Sequence, residues 1–168
     1  MTLGGTPSAP SFLRALFFPP YFTKMQTASP KFVPNHISDG RARRVLLLED
    51  DPMLQAAIKE YLETHFYDVT AVSNGVEGVR AVLNSDFDIV VCDMMMPKLP
   101  GDMFYTAIER MRPHLCKRFI FITGHRGNPK INDFIKQVRG TMLPKPFRME
   151  ALIDTVALVL VQAANPRR

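Results

Sequence analysis

Six side chains in this sequence are of types suited to charge-assisted group transfer: the run Glu49-Asp50-Asp51, then Asp93, Thr123 and Lys145. Carboxylates offer hard oxygen ligands and a nucleophilic oxygen, a threonine hydroxyl offers a hydrogen bond, and a lysine offers a compact positive charge. They are far apart along the chain, with 30 residues from Asp93 to Thr123 and 22 from Thr123 to Lys145. Only a fold that gathers distant segments can join them. Three or four carboxylates at one edge repel one another unless a cation sits among them, and an oxygen set with room for water suits Mg²⁺.

The chain from Arg44 onward predicts such a fold. The runs Val45–Leu48, Ile89–Cys92 and Phe119–Thr123 are apolar and lack polar alternation, so they read as strands buried on both faces. Asp68–Val72 and Thr141–Leu143 read as two further strands. Between them lie segments of helical period: a helix opening at Pro52, then helices over about 75–83, 101–111, 129–138 and 148–163. In the first, Leu54, Ala57, Ile58, Tyr61 and Leu62 form one stripe; in the last, Leu152, Val156, Leu160 and Ala163 repeat at helical spacing. Five successive strand–helix units predict an α/β domain, a single doubly wound five-stranded parallel sheet with five helices. Function in such sheets gathers at the carboxyl ends of the strands. Glu49-Asp50-Asp51 follows the first strand, Asp93 the third, Thr123 closes the fourth, and Lys145-Pro146 lies just past the fifth.

Each residue also has a structural reading. Asp51, directly before Pro52, reads as a helix cap in preference to a metal ligand. Asp93 could cap the loop before Pro97, Thr123 could be ordinary strand packing, and Lys145 could be a solvated charge. The run Met94–Met96 reads as loop and packing side chains, since thioethers do not suit Mg²⁺. His125 reads as a rim residue beside the site.

The motifs decide between these readings as a set. Val45-Leu46-Leu47-Leu48-Glu49-Asp50-Asp51-Pro52, Asp88-Ile89-Val90-Val91-Cys92-Asp93-Met94-Met95-Met96-Pro97 with Gly101, Phe121-Ile122-Thr123-Gly124, and Leu143-Pro144-Lys145-Pro146-Phe147 together resemble the response regulator receiver family over about residues 43–165. The resemblance implies a flavodoxin-like receiver fold. It implies that Asp93 accepts a phosphoryl group from a phosphohistidine. It further implies that Glu49, Asp50, Asp93 and the backbone carbonyl of Met95 bind Mg²⁺, and that Lys145 and Thr123 contact the phosphoryl group. Pro146 resembles the family's proline after a cis peptide, and Gly124 would leave the approach to Asp93 open.

Two departures bear on output. Met142 stands three residues before Lys145, where the family often has an aromatic, and so puts aromatic-coupled signalling in doubt. Met95 stands two residues after Asp93 and cannot orient an attacking water, which predicts slow self-dephosphorylation, with His125 as a second influence.

Charge and composition narrow the function class. The net charge of +5 divides into six basic residues and one acid in residues 1–44, and 15 of each in the remainder. The expected folded part is thus nearly neutral, which argues against a dedicated nucleic-acid surface. Residues 1–40 hold six of the 14 prolines and show no sustained period, so 1–42 reads as a disordered Pro-rich extension without a signal peptide. The receiver is expected over 43–165 and a short tail over 166–168. Cys92 and Cys116 have no disulfide or metal spacing, and no apolar run is long enough to span a bilayer, so the expected setting is the cytoplasm.

The expected function is that of a single-domain receiver, not an enzyme, fed by a histidine kinase or histidine phosphotransfer protein. Its downstream target is an unspecified protein, with the chain a monomer or a phosphorylation-dependent dimer. A receiver derived from a larger hybrid kinase is a variant of this reading. A receiver-like interaction module working without phosphorylation is an alternative. So is a haloacid-dehalogenase-type phosphatase, which needs a second Asp two residues after the nucleophile, where Met95 stands.

Overall fold

Alternation along the central strands decides the architecture. Val45, Leu47, Ile89, Val91, Ile120 and Ile122 point to one side of the sheet, while Leu46, Leu48, Val90, Cys92, Phe119 and Phe121 point to the other. All twelve are essentially inaccessible to solvent. Strands buried on both faces need a helical layer on each side. The computed structural model, which describes residues 41–124 and 127–164, has that arrangement.

Five strands, β1 (Arg44–Leu48), β2 (Asp68–Val72), β3 (Ile89–Asp93), β4 (Phe119–Thr123) and β5 (Thr141–Pro144), form one parallel sheet in the order β2-β1-β3-β4-β5. The helices are α1 (Pro52–Thr64), α2 (Gly75–Asn84), α3 (Gly101–Met111), α4 (Pro129–Gln137) and α5 (Met149–Ala164). Ile58 and Leu62 of α1 and Leu152, Val156 and Val159 of α5 cover the first face. Val82 of α2, Phe104, Tyr105 and Ile108 of α3, and Ile131 and Ile135 of α4 cover the second. The strand order reverses direction between β1 and β3, so the crevice at their carboxyl ends lies at the topological switch point. The predicted fold class is borne out.

Differences from the sequence reading are local. Residues Pro113–Arg118 form a 3₁₀ helix where no element was expected, because Pro113 permits a first turn and Leu115 supplies a buried anchor, while the segment has no amphipathic period. Asp93 is the last residue of β3, one later than the predicted end of that strand. At the opposite end of β3, Asp88 accepts from the Arg43 guanidinium at 2.8 Å and from the Arg44 amide at 2.9 Å. That clamp sets the register of β1 against β3, in which Leu48 lies beside Cys92. The expectations for residues 1–40, His125 and 165–168 lie outside the described residues.

Candidate functional site

The sheet edge delivers the acidic residues in different states of exposure. Glu49 follows β1 directly, keeps a ladder bond from its amide to the Val72 carbonyl at 3.2 Å, and is 1% exposed. Asp50 lies in the turn and is exposed. Asp51 caps α1 as expected, its Oδ1 accepting from the amides of Met53 at 2.9 Å and Leu54 at 3.1 Å. The carboxylate of Asp51 is thereby committed to the helix end, which separates it from its two neighbours.

Asp93 is 5% exposed, and its surroundings are held by backbone on two sides. Its Oδ1 accepts from the Met95 amide at 2.8 Å, and the Met94 amide donates to Ile122 of β4 at 2.9 Å. Gly101 at the start of α3 comes so close that a Cβ there would lie 2.6 Å from the Asp93 carbonyl oxygen. Only glycine permits that approach without moving the end of β3. Thr123, fully buried, ends β4, and its carbonyl accepts from the Lys145 amide at 2.7 Å. The Lys145-Pro146 peptide is cis, as the motif implied. Among the described residues an added Cβ at Gly124 would meet only Lys145 Cβ, at 4.0 Å.

These placements converge on one ammonium. Lys145 Nζ donates to Glu49 Oε2 at 2.8 Å and to Asp93 Oδ2 at 2.5 Å, bridging residues 96 and 52 positions away. One carboxylate oxygen each from Glu49, Asp50 and Asp93 lies within 4.8 Å of the others, a spacing that suits a single cation. The donor set is all oxygen and partly exposed, which fits Mg²⁺ with retained water and does not fit a thiol- or imidazole-seeking metal. Burial pushes the Glu49 carboxyl above its ordinary value; the hydrogen bond from Lys145 opposes this and the nearby Asp93 charge adds to it. For Lys145, burial acts downward, yet its bonds to Asp93 and Glu49 prevail and hold the ammonium above the usual lysine value. The lysine therefore stays charged through the physiological range.

The six residues singled out from sequence thus divide. Glu49, Asp50, Asp93 and Lys145 share one cluster, Thr123 lies at the adjoining strand end, and Asp51 faces its helix. Met95 joins through its backbone, its side chain half exposed. Gln55 was absent from that set: its Nε2 donates to the carbonyls of Glu49 at 2.7 Å and Val72 at 2.9 Å. The available signal was its position one helical turn after the Asp51 cap, on the side that returns to the strand end.

A family model, the response regulator receiver domain, matches residues 45–157. The chain belongs to this family. The response regulator receiver protein CpdR of Brucella abortus is 26% identical over 121 residues, covering 72% of this chain and 99% of CpdR. The transcriptional regulatory protein RprY of Bacteroides fragilis is 31% identical over 118 residues, covering 70% of this chain and 49% of RprY. The chain spans about half or less of the length of several curated relatives it matches. Among solved structures, a CheY-like response regulator receiver domain protein from Methanospirillum hungatei superposes with a TM-score of 0.69 at 20% identity, covering 75% of this chain and 99% of its own; this likeness speaks to fold. The receiver domain of two-component response regulators is in general a phosphoacceptor module, and the matched residues 45–157 include the carboxylate cluster Glu49, Asp50 and Asp93. Among the described residues no helix is long and apolar enough to cross a membrane.

Proposed function

We propose that this domain is a phosphate-operated switch and not an enzyme, with Asp93 accepting a phosphoryl group from a phosphohistidine. The observation that carries the reading is the Lys145 ammonium bridging Glu49 and Asp93 beside the three-carboxylate cluster. Glu49, Asp50 and Asp93, with the Met95 backbone carbonyl, would hold Mg²⁺. The ion supplies charge neutralisation at the phosphoryl oxygens, the main demand of phosphoryl transfer. An Asp93 carboxylate oxygen forms the new O–P bond as the N–P bond of the phosphohistidine breaks, and the imidazole nitrogen departs with the electron pair. Lys145 then pairs with a phosphoryl oxygen in place of the Asp93 carboxylate, and the Thr123 hydroxyl donates to another.

The donor is a histidine kinase or a histidine phosphotransfer protein, and the product acts on a downstream protein by contact, or passes the phosphate onward. The chain works in the cytoplasm, as a monomer or as a dimer formed on phosphorylation. Met142, 40% exposed at the family's aromatic position, leaves that output to a flexible thioether side chain in place of a swinging ring. The test is incubation with a radiolabelled phosphohistidine donor. Label should appear on the chain only with Mg²⁺ and be released by hydroxylamine, as an acyl phosphate is. Label that survives hydroxylamine, or appears equally in chelator, rejects the reading. Failure of the wild type to take label or to bind beryllofluoride would favour a module that works without phosphorylation.

The exposed Met95 side chain has no group that can orient water for attack on the acyl phosphate. Met95→Asn adds a carboxamide there and should speed loss of label several-fold without altering its uptake. A half-life of seconds in the wild type, or the same half-life in both proteins, would refute this.

A further inference from the structure

We infer that Gln55 is a positioning residue for the acidic pair: by tying the backbone at Glu49 to the end of β2, it sets where Glu49 and Asp50 present their carboxylates to a divalent cation. The inference rests on the Mg²⁺ reading above and concerns a residue that reading does not use. A carboxamide has two N–H bonds to donate, and the Gln55 Nε2 contacts two carbonyl oxygens on two different segments, Glu49 at 2.7 Å and Val72 at 2.9 Å. The same Val72 oxygen accepts from the Glu49 amide at 3.2 Å, so the side chain doubles the last rung between β1 and β2.

The following turn is closed on its other side. The Gln55 amide donates to the Asp51 carbonyl at 2.8 Å, the Asp51 side chain caps α1, and the Asp51 amide donates to Glu49 Oε1 at 3.3 Å. Residues 49 and 51 are therefore pinned at both ends of the turn, and Asp50 between them is exposed. Its carboxylate inherits its location from the backbone that Gln55 holds. Gln55 itself is half-buried on α1 and spends its donors outside its own helix, which a residue placed only for helix propensity would not do.

The test compares Mg²⁺ titrations of the full chain followed by backbone amide NMR shifts. Gln55→Met keeps a long, unbranched side chain and removes both donors; Gln55→Arg keeps donors on a side chain able to reach the same carbonyls. Outer-shell groups typically contribute about tenfold or more to metal affinity, so Gln55→Met should weaken Mg²⁺ binding by about tenfold, with phosphorylation recovered at saturating Mg²⁺. Gln55→Arg should stay within about threefold of wild type, a rescue that a purely packing role would not give. If Gln55→Met lowers the melting temperature too far for titration, Gln55→Leu, equally uncharged and donor-free, is read in its place, with the same loss expected. Unchanged affinity in the donor-free variant, or equal loss in both Met and Arg variants, overturns the inference and leaves the metal site standing. A wild type without Mg²⁺-dependent shifts overturns the metal reading, and this inference with it.

Discussion

Asp93→Asn should abolish phosphoryl acceptance, lowering incorporation of label by on the order of 10³-fold or more, while the fold remains intact. The amide matches the carboxylate in shape, so the bond accepted from the Met95 amide at 2.8 Å can persist through its oxygen. What disappears is the anionic oxygen that would form the O–P bond, together with one of the three carboxylates in the cluster. Mg²⁺ affinity should fall as well, because fewer anionic ligands remain for the same cation. Stability should move the other way or stay level. Asp93 now adds repulsion that raises the Glu49 carboxyl, and neutralising it relieves that repulsion while Glu49 retains Lys145. Uptake of label, an Mg²⁺ titration and a melting curve on one preparation test all three. Wild-type uptake by Asp93→Asn would place the acceptor elsewhere and defeat the reading.

The division between what could be read from residues and what could not follows physical lines. Val45–Leu48, Ile89–Cys92 and Phe119–Thr123 announced doubly buried strands because no polar residue interrupts them, and burial on both faces leaves few architectures. Asp51 before Pro52 announced a cap, since both residues act within a single turn. Pro113–Arg118 announced nothing, because a short 3₁₀ segment anchored by Leu115 has no period to detect. The site was legible as residue types at strand ends and as motifs. Its charge arrangement was not: that Lys145 reaches Glu49 as well as Asp93 depends on side-chain distances across three strands. The contrast between buried Glu49 and exposed Asp50 arises where the chain leaves β1 for the turn, which two adjacent acids do not reveal. Gln55 escaped notice for a related reason, since its two bonds go to backbone carbonyls whose positions no residue type records.

Lys145→Met should separate cation binding from phosphoryl transfer. Removing the ammonium leaves Glu49, 1% exposed, facing Asp93 with no positive partner between them. The vacated charge makes the cluster more attractive to Mg²⁺, so affinity for the ion should rise a few-fold. Transfer should nevertheless fall by about 10²–10³-fold, the usual loss when a preorganised group that stabilises developing charge is deleted. Stability should drop near neutral pH by about 3 kcal/mol, the lower part of the range for breaking a buried pair, because the lysine side chain is about a quarter exposed. The pH dependence has a definite sign. In the wild type the Lys145 value is raised, so its contribution is complete below the ordinary lysine value of 10.5 and is lost only as pH climbs through the higher folded value. In the variant Glu49 loses the partner that opposed burial, and its carboxyl shifts further above 4.5. The native state then holds a proton that the unfolded state has released, so stability falls as pH rises through the window above 4.5 and recovers as pH is lowered toward it. Melting curves between about pH 4.5 and 8 should therefore converge with wild type at the acid end. Parallel curves, or transfer that survives without the lysine, would show that the bridge does not hold the cluster's charge in balance.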